Sequence, residues 1–270
     1  MITSTKNNQI KNIISLNKKA RERKAQRLFV VEGIRAVAEV PADLLYSIYY
    51  VEGFTDSTEG EAFIRNISDK RTDILMEEVA AGVFGAMCDT VTPQGILAVV
   101  KVQDFSLSDV MGIDGRPPLI VILENLQDPG NLGTIIRTAE GAGASGIIMS
   151  SNTVDIYSPK VVRATMGSIF RVPHIVSDDL PDTVRMLQEK HSISVYAAHL
   201  KGEKYHDEFD FTSPTAFMIG NEGNGLSDEI SALATHYLKI PMEGHLESLN
   251  ASVAAGILMY EAQRQRRKIR

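Results

Sequence analysis

Hydrophobic positions follow two different periods that alternate along the whole chain. Short apolar runs of strand length are separated by stretches in which apolar residues recur every three or four positions, as in amphipathic helices. The first half runs from a helical pattern over 6–27 through a strand at 28–31 to a strand at 95–100. The second half begins again with PLIVIL at 118–123 and closes with a helix from about Ser248 to Arg267. Strands that alternate with helices predict an α/β fold containing a parallel sheet.

One stretch of the chain lacks either period. Residues 103–117 are polar, contain glycine and proline, and show no repeating pattern, which is typical of a linker. The chain length of 270 residues accommodates either one large domain or two ordinary ones, and the linker favours two. We therefore predict a first domain over 1–102, a linker over 103–117 and a second domain over 118–270.

Composition narrows the class of protein. The chain has 44% apolar residues and one cysteine, Cys88, so a scaffold stabilised by intrachain disulfides is excluded. No apolar run approaches the roughly 18 residues of a membrane-spanning helix. The lysines near the N-terminus are not followed by the apolar stretch of a signal peptide. These features predict a cytoplasmic globular protein that does not enter a membrane.

The net charge of -6 conceals an uneven distribution. Residues 1–27 hold eight basic side chains and one acid, and residues 264–270 hold five basic side chains and no acid. Basic chain ends suit a phosphate backbone, because each Lys or Arg placed on a phosphate releases counterions. Solvated helix faces are the alternative, and both interpretations stay open on charge alone. The candidate RNA-binding residues are Lys18, Lys19, Arg21, Arg23, Lys24 and Arg27.

Two common kinds of site are not supported by the sequence. The string GAGASG at 141–146 has the glycine spacing of a dinucleotide fingerprint, but it closes a helix and precedes a strand, which is the reverse of the required order. A helix C-cap and a tight turn explain these glycines better. The six histidines show no metal-ligand spacing and one cysteine cannot build a thiolate site, so no metal is expected.

Three segments carry polar residues that a sheet does not need. Residues 124–137 leave a strand, turn at Pro129-Gly130 and enter a helix, where Asn131 is either an N-cap or a site residue. Residues 219–226 form a glycine-rich loop after a strand, at the end where ligands bind in open α/β sheets. Residues 240–250 lead into the last helix, and Ser248 is either its N-cap or a site residue.

Together these segments resemble the SpoU/TrmH branch of the SPOUT methyltransferases. The matching strings are NLGTIIRTA at 131–139, IGNEGNGL at 219–226 and IPMEGHLESLNASVAAGI at 240–257. The resemblance implies methyl transfer from S-adenosylmethionine to a ribose 2′-hydroxyl in RNA. It also implies a parallel-sheet SPOUT domain with a deep trefoil knot at 118–270, preceded by a smaller α/β L30e-like domain that binds the RNA substrate. Ala251 is a small departure, since valine is more usual there.

The resemblance also assigns roles to individual residues. Arg137 is expected to assist loss of the 2′-hydroxyl proton, either as the base or, as we favour, by binding phosphate and the developing alkoxide. Glu222 is expected to fix the loop geometry. The implied catalytic residues are Arg137, Asn131, Glu222, Ser248 and Asn250. The implied cofactor-binding residues are Ala198, His199, Leu200, Gly220, Asn221, Gly225, Ile240, Met242, Leu249 and Ala251.

The expected substrate is ribosomal RNA of the 23S type, because an added N-terminal domain suits an extended target. A transfer RNA 2′-O-methyltransferase is one alternative. A non-catalytic RNA-binding relative with the same fold is another, although the five implied catalytic residues all match the family motif. The resemblance further implies a homodimer formed through the knotted domain.

Overall fold

The computed structural model describes residues 1–112, 115–199, 202, 204–246 and 248–268, which form two compact units. The first unit is Met1–Asp104 together with Asp155–Phe170. The second is Phe105–Val154 together with Arg171–Arg270. The sequence-based boundaries placed 155–170 in the second domain, whereas these residues pack within the first unit. The apolar side chains of Val161 and Val162 are buried in a short helix that contacts the first strand of that unit.

The first unit is built on a mixed four-stranded sheet in the order β1-β4-β2-β3. The fourth strand runs antiparallel to β1 and β2, and the third runs parallel to β2. The strands are β1 (Leu28–Glu32), β2 (Leu45–Val51), β3 (Leu75–Val79) and β4 (Ile96–Lys101). The third strand includes Glu77 and Glu78, which pair in register with Tyr49 and Tyr50 of β2.

Six helices complete the first unit: α1 (Asn8–Lys18), α2 (Ala20–Gln26), α3 (Ile34–Ala38), α4 (Thr58–Lys70), α5 (Ala81–Met87) and α8 (Pro159–Thr165). The predicted single helix over 6–27 is two helices, because Lys19 adopts an extended backbone between them. Ile10, Ile13 and Leu16 lie on one face of α1 and are buried in the core of the unit.

The second unit contains a sheet of seven parallel strands in the order β7-β6-β5-β10-β8-β11-β9. The predicted α/β class with a parallel sheet is confirmed. The strands are β5 (Leu119–Leu123), β6 (Gly146–Ser150), β7 (His174–Ser177), β8 (Ser194–Ala198), β9 (Lys204–Tyr205), β10 (Thr215–Ile219) and β11 (His236–Lys239).

Helices cover both faces of this sheet. They are α6 (Leu107–Val110), α7 (Pro129–Ala142), α9 (Leu180–His191), α10 (Asp228–Ser231) and α11 (Ala251–Arg267). Ile120 and Ile122 point into a buried cluster with α6, α9 and α10. The alternate residues Val121 and Leu123 point to the opposite face, where α11 contacts α7, β5 and β10. Sheets of this kind are buried on both faces, which explains the continuous apolar strands.

The glycines of the GAGASG string have the structural role expected of them. Gly143 ends α7 in the left-handed conformation, with φ of 72°, and its amide bonds back to the last turn of the helix. Gly146 begins β6, and a Cβ there would lie 2.8 Å from the backbone of Val110. The prediction of a C-cap and a tight turn is confirmed.

Candidate active site at the carboxyl end of the parallel sheet

Four neighbouring strands of the second unit bring the three polar segments together. The strands β5, β10, β8 and β11 are adjacent and parallel, so their carboxyl ends lie at one edge of the sheet. Segment 124–137 follows β5, segment 219–226 follows β10, and segment 240–250 follows β11. The next strand in the chain, β6, lies on one side of β5, and the later strand β10 lies on its other side. This change of direction in the strand order is the switch point where open α/β sheets bind ligands.

The carboxylate of Glu222 connects two of these segments. It accepts hydrogen bonds from the backbone amides of Gln127 (3.0 Å) and Asp128 (2.9 Å) and from the side-chain amide of Asn131 (3.1 Å). Partial burial acts to raise the pKa of Glu222, but these three donors outweigh it and hold that pKa below its ordinary value. Glu222 therefore stays ionised and fixes the loop after β10 against the start of α7.

Asn131 joins the third segment to this contact. Its side chain is buried, with 9% exposed, and its carbonyl oxygen accepts a hydrogen bond of 2.9 Å from Nδ2 of Asn250. Asn250 also accepts hydrogen bonds from the amides of Ser252 and Val253, and so forms the N-cap of α11. The three residues Asn250, Asn131 and Glu222 are thus linked by consecutive hydrogen bonds, although they are distant in sequence.

Both N-cap alternatives raised by the sequence are wrong. The N-cap of α7 is Asp128, whose carboxylate accepts from the amide of Asn131 at 2.8 Å, with Pro129 in the first turn. The N-cap of α11 is Asn250, so the helix begins at Ala251 and not near Ser248. An aspartate and an asparagine take these positions because their short side chains reach the free amides of the first turn.

The loop 219–226 is closed by two backbone hydrogen bonds between Asn221 and Gly225, of 3.0 and 2.9 Å. The side chain of Asn221 donates to the carbonyl of Asn125 and accepts from the amides of Gly223 and Asn224. Gly220 lies against the returning chain, where a Cβ would stand 2.1 Å from the carbonyl carbon of Gly225. Only glycine fits there, because the backbone of Gly225 and Leu226 occupies the space that a side chain would need.

Sequence reasoning missed a second carboxylate at this edge of the sheet. Glu124, directly after β5, is buried with 7% exposed, and it accepts from the amide (2.8 Å) and hydroxyl (2.6 Å) of Ser227. This contact ties the end of β5 to the start of α10. An acid placed immediately after the apolar run LIVIL was the available signal, because a buried carboxylate needs partners.

Arg137 and Ser248 stand apart from the hydrogen-bonded residues. Both side chains are exposed, and neither makes a hydrogen bond or ion pair with any part of the chain that the structure describes. Arg137 lies on α7, the helix that carries Asn131. Its guanidinium is exposed and therefore accessible to a ligand.

The predicted cofactor-binding residues lie at the same edge. Ala198 ends β8, His199 follows it, and the amide of His199 donates to the carbonyl of Leu238 in β11. The half-buried apolar residues of the set are Ile240, Met242 and Leu249. Ala251 is buried in the first turn of α11. Leu200 lies outside the residues that the structure describes.

The predicted RNA-binding residues divide into two groups. Arg23 is buried, with 6% exposed, and its guanidinium donates to the carbonyl of Leu16 (2.5 Å) and contacts Asp155 at 2.6 Å. The assignment of Arg23 to an RNA-binding surface is wrong, because its charge is already used inside the unit. The residues whose side chains are exposed are Lys18, Lys19, Arg21, Lys24 and Arg27, and the last of these pairs with Asp104.

Two other structural features are absent from the described ranges. No helix there combines the length and apolar character needed to cross a bilayer. In the same part of the chain, no group of three or more His, Cys, Asp or Glu side chains is placed to hold a metal ion.

Two protein-family models match the chain. The SpoU rRNA Methylase family matches residues 118–260, which is more than half of the chain. The MRM3-like substrate binding domain matches residues 7–98.

Individual proteins are similar over a large part of the chain. The 23S rRNA (guanosine(2553)-2′-O)-methyltransferase of Bacillus subtilis is 32% identical over 96% of this chain and 97% of its own length. An uncharacterized tRNA/rRNA methyltransferase of Synechocystis sp. is 38% identical, and the alignment spans 69% of this chain and 66% of that protein. The crystal structure of the SpoU methyltransferase AviRb from Streptomyces viridochromogenes with the cofactor AdoMet superposes with a TM-score of 0.84 at 27% identity. It covers 97% of this chain and 100% of that one.

Proposed function

The chain belongs to the SpoU rRNA methylase family, and we propose on that basis that it transfers a methyl group from S-adenosylmethionine to a ribose 2′-hydroxyl in ribosomal RNA. The observation that carries this proposal is the hydrogen-bonded set of Glu222, Asn131 and Asn250. Each residue comes from a different family segment, and the set lies at the ligand-binding edge of the parallel sheet.

The residues at this edge fit S-adenosylmethionine. Gly220 lets the loop after β10 fold tightly back on itself, and the half-buried side chains of Ile240, Met242 and Leu249 offer apolar surface for a purine ring. We assign the predicted cofactor-binding residues on these grounds. When bound, the cofactor supplies an electrophilic methyl group attached to a sulfonium.

The protein itself must align the ribose oxygen and assist loss of its proton. We assign to Arg137 the binding of the neighbouring phosphate and stabilisation of the developing alkoxide, because a guanidinium remains protonated and presents a planar fork to oxygens. A phosphate oxygen or water then takes the proton. Asn131, Ser248 and Asn250 orient the ribose and its phosphate, and Glu222 holds the loop after β10 in position.

Ribosomal RNA of the 23S type is the substrate that the relatives favour. The Bacillus subtilis relative is by name a 23S rRNA methyltransferase and is similar over nearly the whole chain, including the N-terminal part. The match to a substrate binding domain at 7–98 agrees with a role for that part in RNA binding. We place the contact on the exposed basic residues Lys18, Lys19, Arg21 and Lys24 of α1, α2 and the turn between them.

A homodimer, a knotted second unit and a cytoplasmic location complete the proposal. Val253 and Tyr260 are exposed on α11 with 49% and 48% of their surface accessible, and together with Ile257 they form an apolar stripe suited to a second copy. The packing of α11 against β5, the first strand of its sheet, suits a threaded chain end. Light scattering at micromolar concentration is expected to give twice the monomer mass of 29.6 kDa, and a monomer would contradict the dimer.

Mapping ribose methylation in RNA from cells with and without the gene tests the function directly. We expect one 2′-O-methyl group in the large ribosomal RNA to disappear. If a methyl group disappears from transfer RNA instead, the proposed substrate is wrong but the proposed 2′-O-methyl transfer still holds. An unchanged map, together with no cofactor binding by titration calorimetry, would favour a non-catalytic RNA-binding relative.

A further inference from the structure

A cavity of about 670 Å³ opens in the second unit at the amino end of the parallel sheet. Leu119 at the start of β5, Ser145 just before β6 and Val172 just before β7 all line it. The strands β5 and β6 are five residues long and β7 is four, so the cavity and the carboxyl-end site are separated by roughly 15 Å of sheet. The volume lies within the range of about 300–1,000 Å³ that ligand pockets occupy.

The lining of this cavity is rich in arginine. Its charged members are four arginines and one glutamate: Arg116, Arg171, Arg266, Arg267 and Glu140. Such an excess of one sign is notable in a chain whose formal net charge is -6. Arg171 forms an ion pair with Glu140 at 2.5 Å, which accounts for the carboxylate. Among the described residues of the lining, arginines therefore outnumber acids by four to one.

Among the described residues, the hydrogen-bond partners of Arg266 are all neutral. Its guanidinium donates to the backbone carbonyls of Phe211 (2.8 Å), Pro117 (2.6 Å), Pro118 (2.9 Å) and Ser213 (2.8 Å). Carbonyl dipoles satisfy its hydrogen bonds but leave a full positive charge in a half-buried position. Burial first, and then the neighbouring charge of Arg116, lower the pKa of Arg266 to about 10. An anion in the cavity would relieve both effects.

We propose that this cavity is a second ligand site that binds a phosphate group, either a phosphodiester of the RNA substrate or a free phosphate. Guanidinium groups match the oxygens of phosphate with paired hydrogen bonds, and arginine is the preferred residue for such recognition. The volume exceeds what one small ion needs and admits a whole nucleotide. The RNA source rests on the proposed function, whereas the phosphate chemistry of the cavity does not.

Arg116 and Arg267 are the variants of choice because both are exposed and neither is part of the carbonyl-bound core of the cavity. The test is the double variant Arg116→Gln/Arg267→Gln. The matched control is Arg185→Gln/Arg264→Gln, which removes two exposed arginines of the same unit that lie outside the lining. Melting temperature and S-adenosylmethionine affinity are measured first for every protein, and both are expected to match the parent.

The RNA arm measures binding of a 23S rRNA fragment by filter retention over a range of salt concentrations. Each phosphate contact contributes about 0.7 to 0.9 to the salt slope. The cavity variant is therefore expected to lose about 1.4 to 1.8 of slope and about tenfold in affinity at moderate salt. The control variant is expected to lose less than half of that slope.

The free-phosphate arm compares thermal stability in inorganic phosphate and in chloride at equal ionic strength. Stabilisation of the parent and the control but not of the cavity variant, with an unchanged RNA slope, would identify free phosphate as the ligand. If neither arm separates the cavity variant from the control, the proposed site is wrong. If the parent itself neither binds RNA nor methylates it, the proposed function fails, and the phosphate arm still decides the cavity.

Discussion

Gly220 offers the sharpest test of the cofactor site, because its replacement by alanine adds one methyl group at a defined point. The new Cβ would lie 2.1 Å from the carbonyl carbon of Gly225, 2.2 Å from the amide nitrogen of Leu226 and 2.3 Å from the carbonyl oxygen of Gly225. All three atoms are backbone, so no flexible side chain can move aside. The loop itself must shift.

The cost of that shift follows from what closes the loop. Movement away from position 220 stretches the two hydrogen bonds between Asn221 and Gly225, each worth about 1 kcal/mol. Overpacking by one methyl group typically costs about 1–3 kcal/mol, so we take that range for Gly220→Ala. If binding must restore the parent loop geometry, the cofactor dissociation constant rises by about 5- to 150-fold.

Titration calorimetry with S-adenosylmethionine measures this change, and Gly223→Ala is the matched control. A Cβ at Gly223 would meet only the Asn221 side chain, at an ordinary 3.5 Å, so its affinity is expected to stay within twofold of the parent. Calorimetric scans of both variants report any loss of stability. A Gly220→Ala protein that binds as tightly as the parent would refute the placement of the cofactor against this loop.

Three further predictions concern charged residues. Arg137→Ala is expected to lower the rate of methyl transfer by at least about 100-fold and to leave cofactor affinity unchanged. Arg137→Lys is expected to stay impaired at every pH. Recovery of its activity at alkaline pH would instead indicate that Arg137 acts as the base. Arg23→Ala removes the partner of Asp155 and is expected to cost about 3 kcal/mol of the free energy of unfolding. The melting temperature should then fall by roughly 6–12 °C, whereas Lys24→Ala should keep that of the parent. Equal melting temperatures for the two variants would contradict a structural role for Arg23. Glu222 has a lowered pKa in the folded protein, so its ionised carboxylate contributes fully to folding stability above the ordinary pKa of 4.5. This contribution is lost as the pH falls through the lower pKa of the folded state. In denaturant unfolding, Glu222→Gln is expected to lack this part of the dependence of stability on acid pH.

The fold class and the family could be predicted from the sequence, and so could three residues that meet at the carboxyl end of the parallel sheet. Apolar runs of strand length alternate with helical periods, and this pattern is local, so it predicted the α/β layers without any knowledge of packing. The motif strings predicted Asn131, Glu222 and Asn250, and the structure brings these three together. The glycine string at 141–146 was interpreted correctly for a similar reason, since the order of helix, turn and strand is visible in the chain.

The identity of the polar and charged residues with internal partners could not be predicted from the sequence. Arg23 is indistinguishable from Lys24 in a basic segment, but it is buried against a carboxylate 132 positions away in the sequence. The buried carboxylate of Glu124 likewise has its partner, Ser227, in a distant segment. The arginines that line the cavity come from segments separated by up to about 150 residues. Ion pairs and cavities form between distant segments, so neither propensity nor period reports them. The strand order that places β10 between β5 and β8 is decided in the same way, because it depends on how the strands pair and not on the pattern within any one of them.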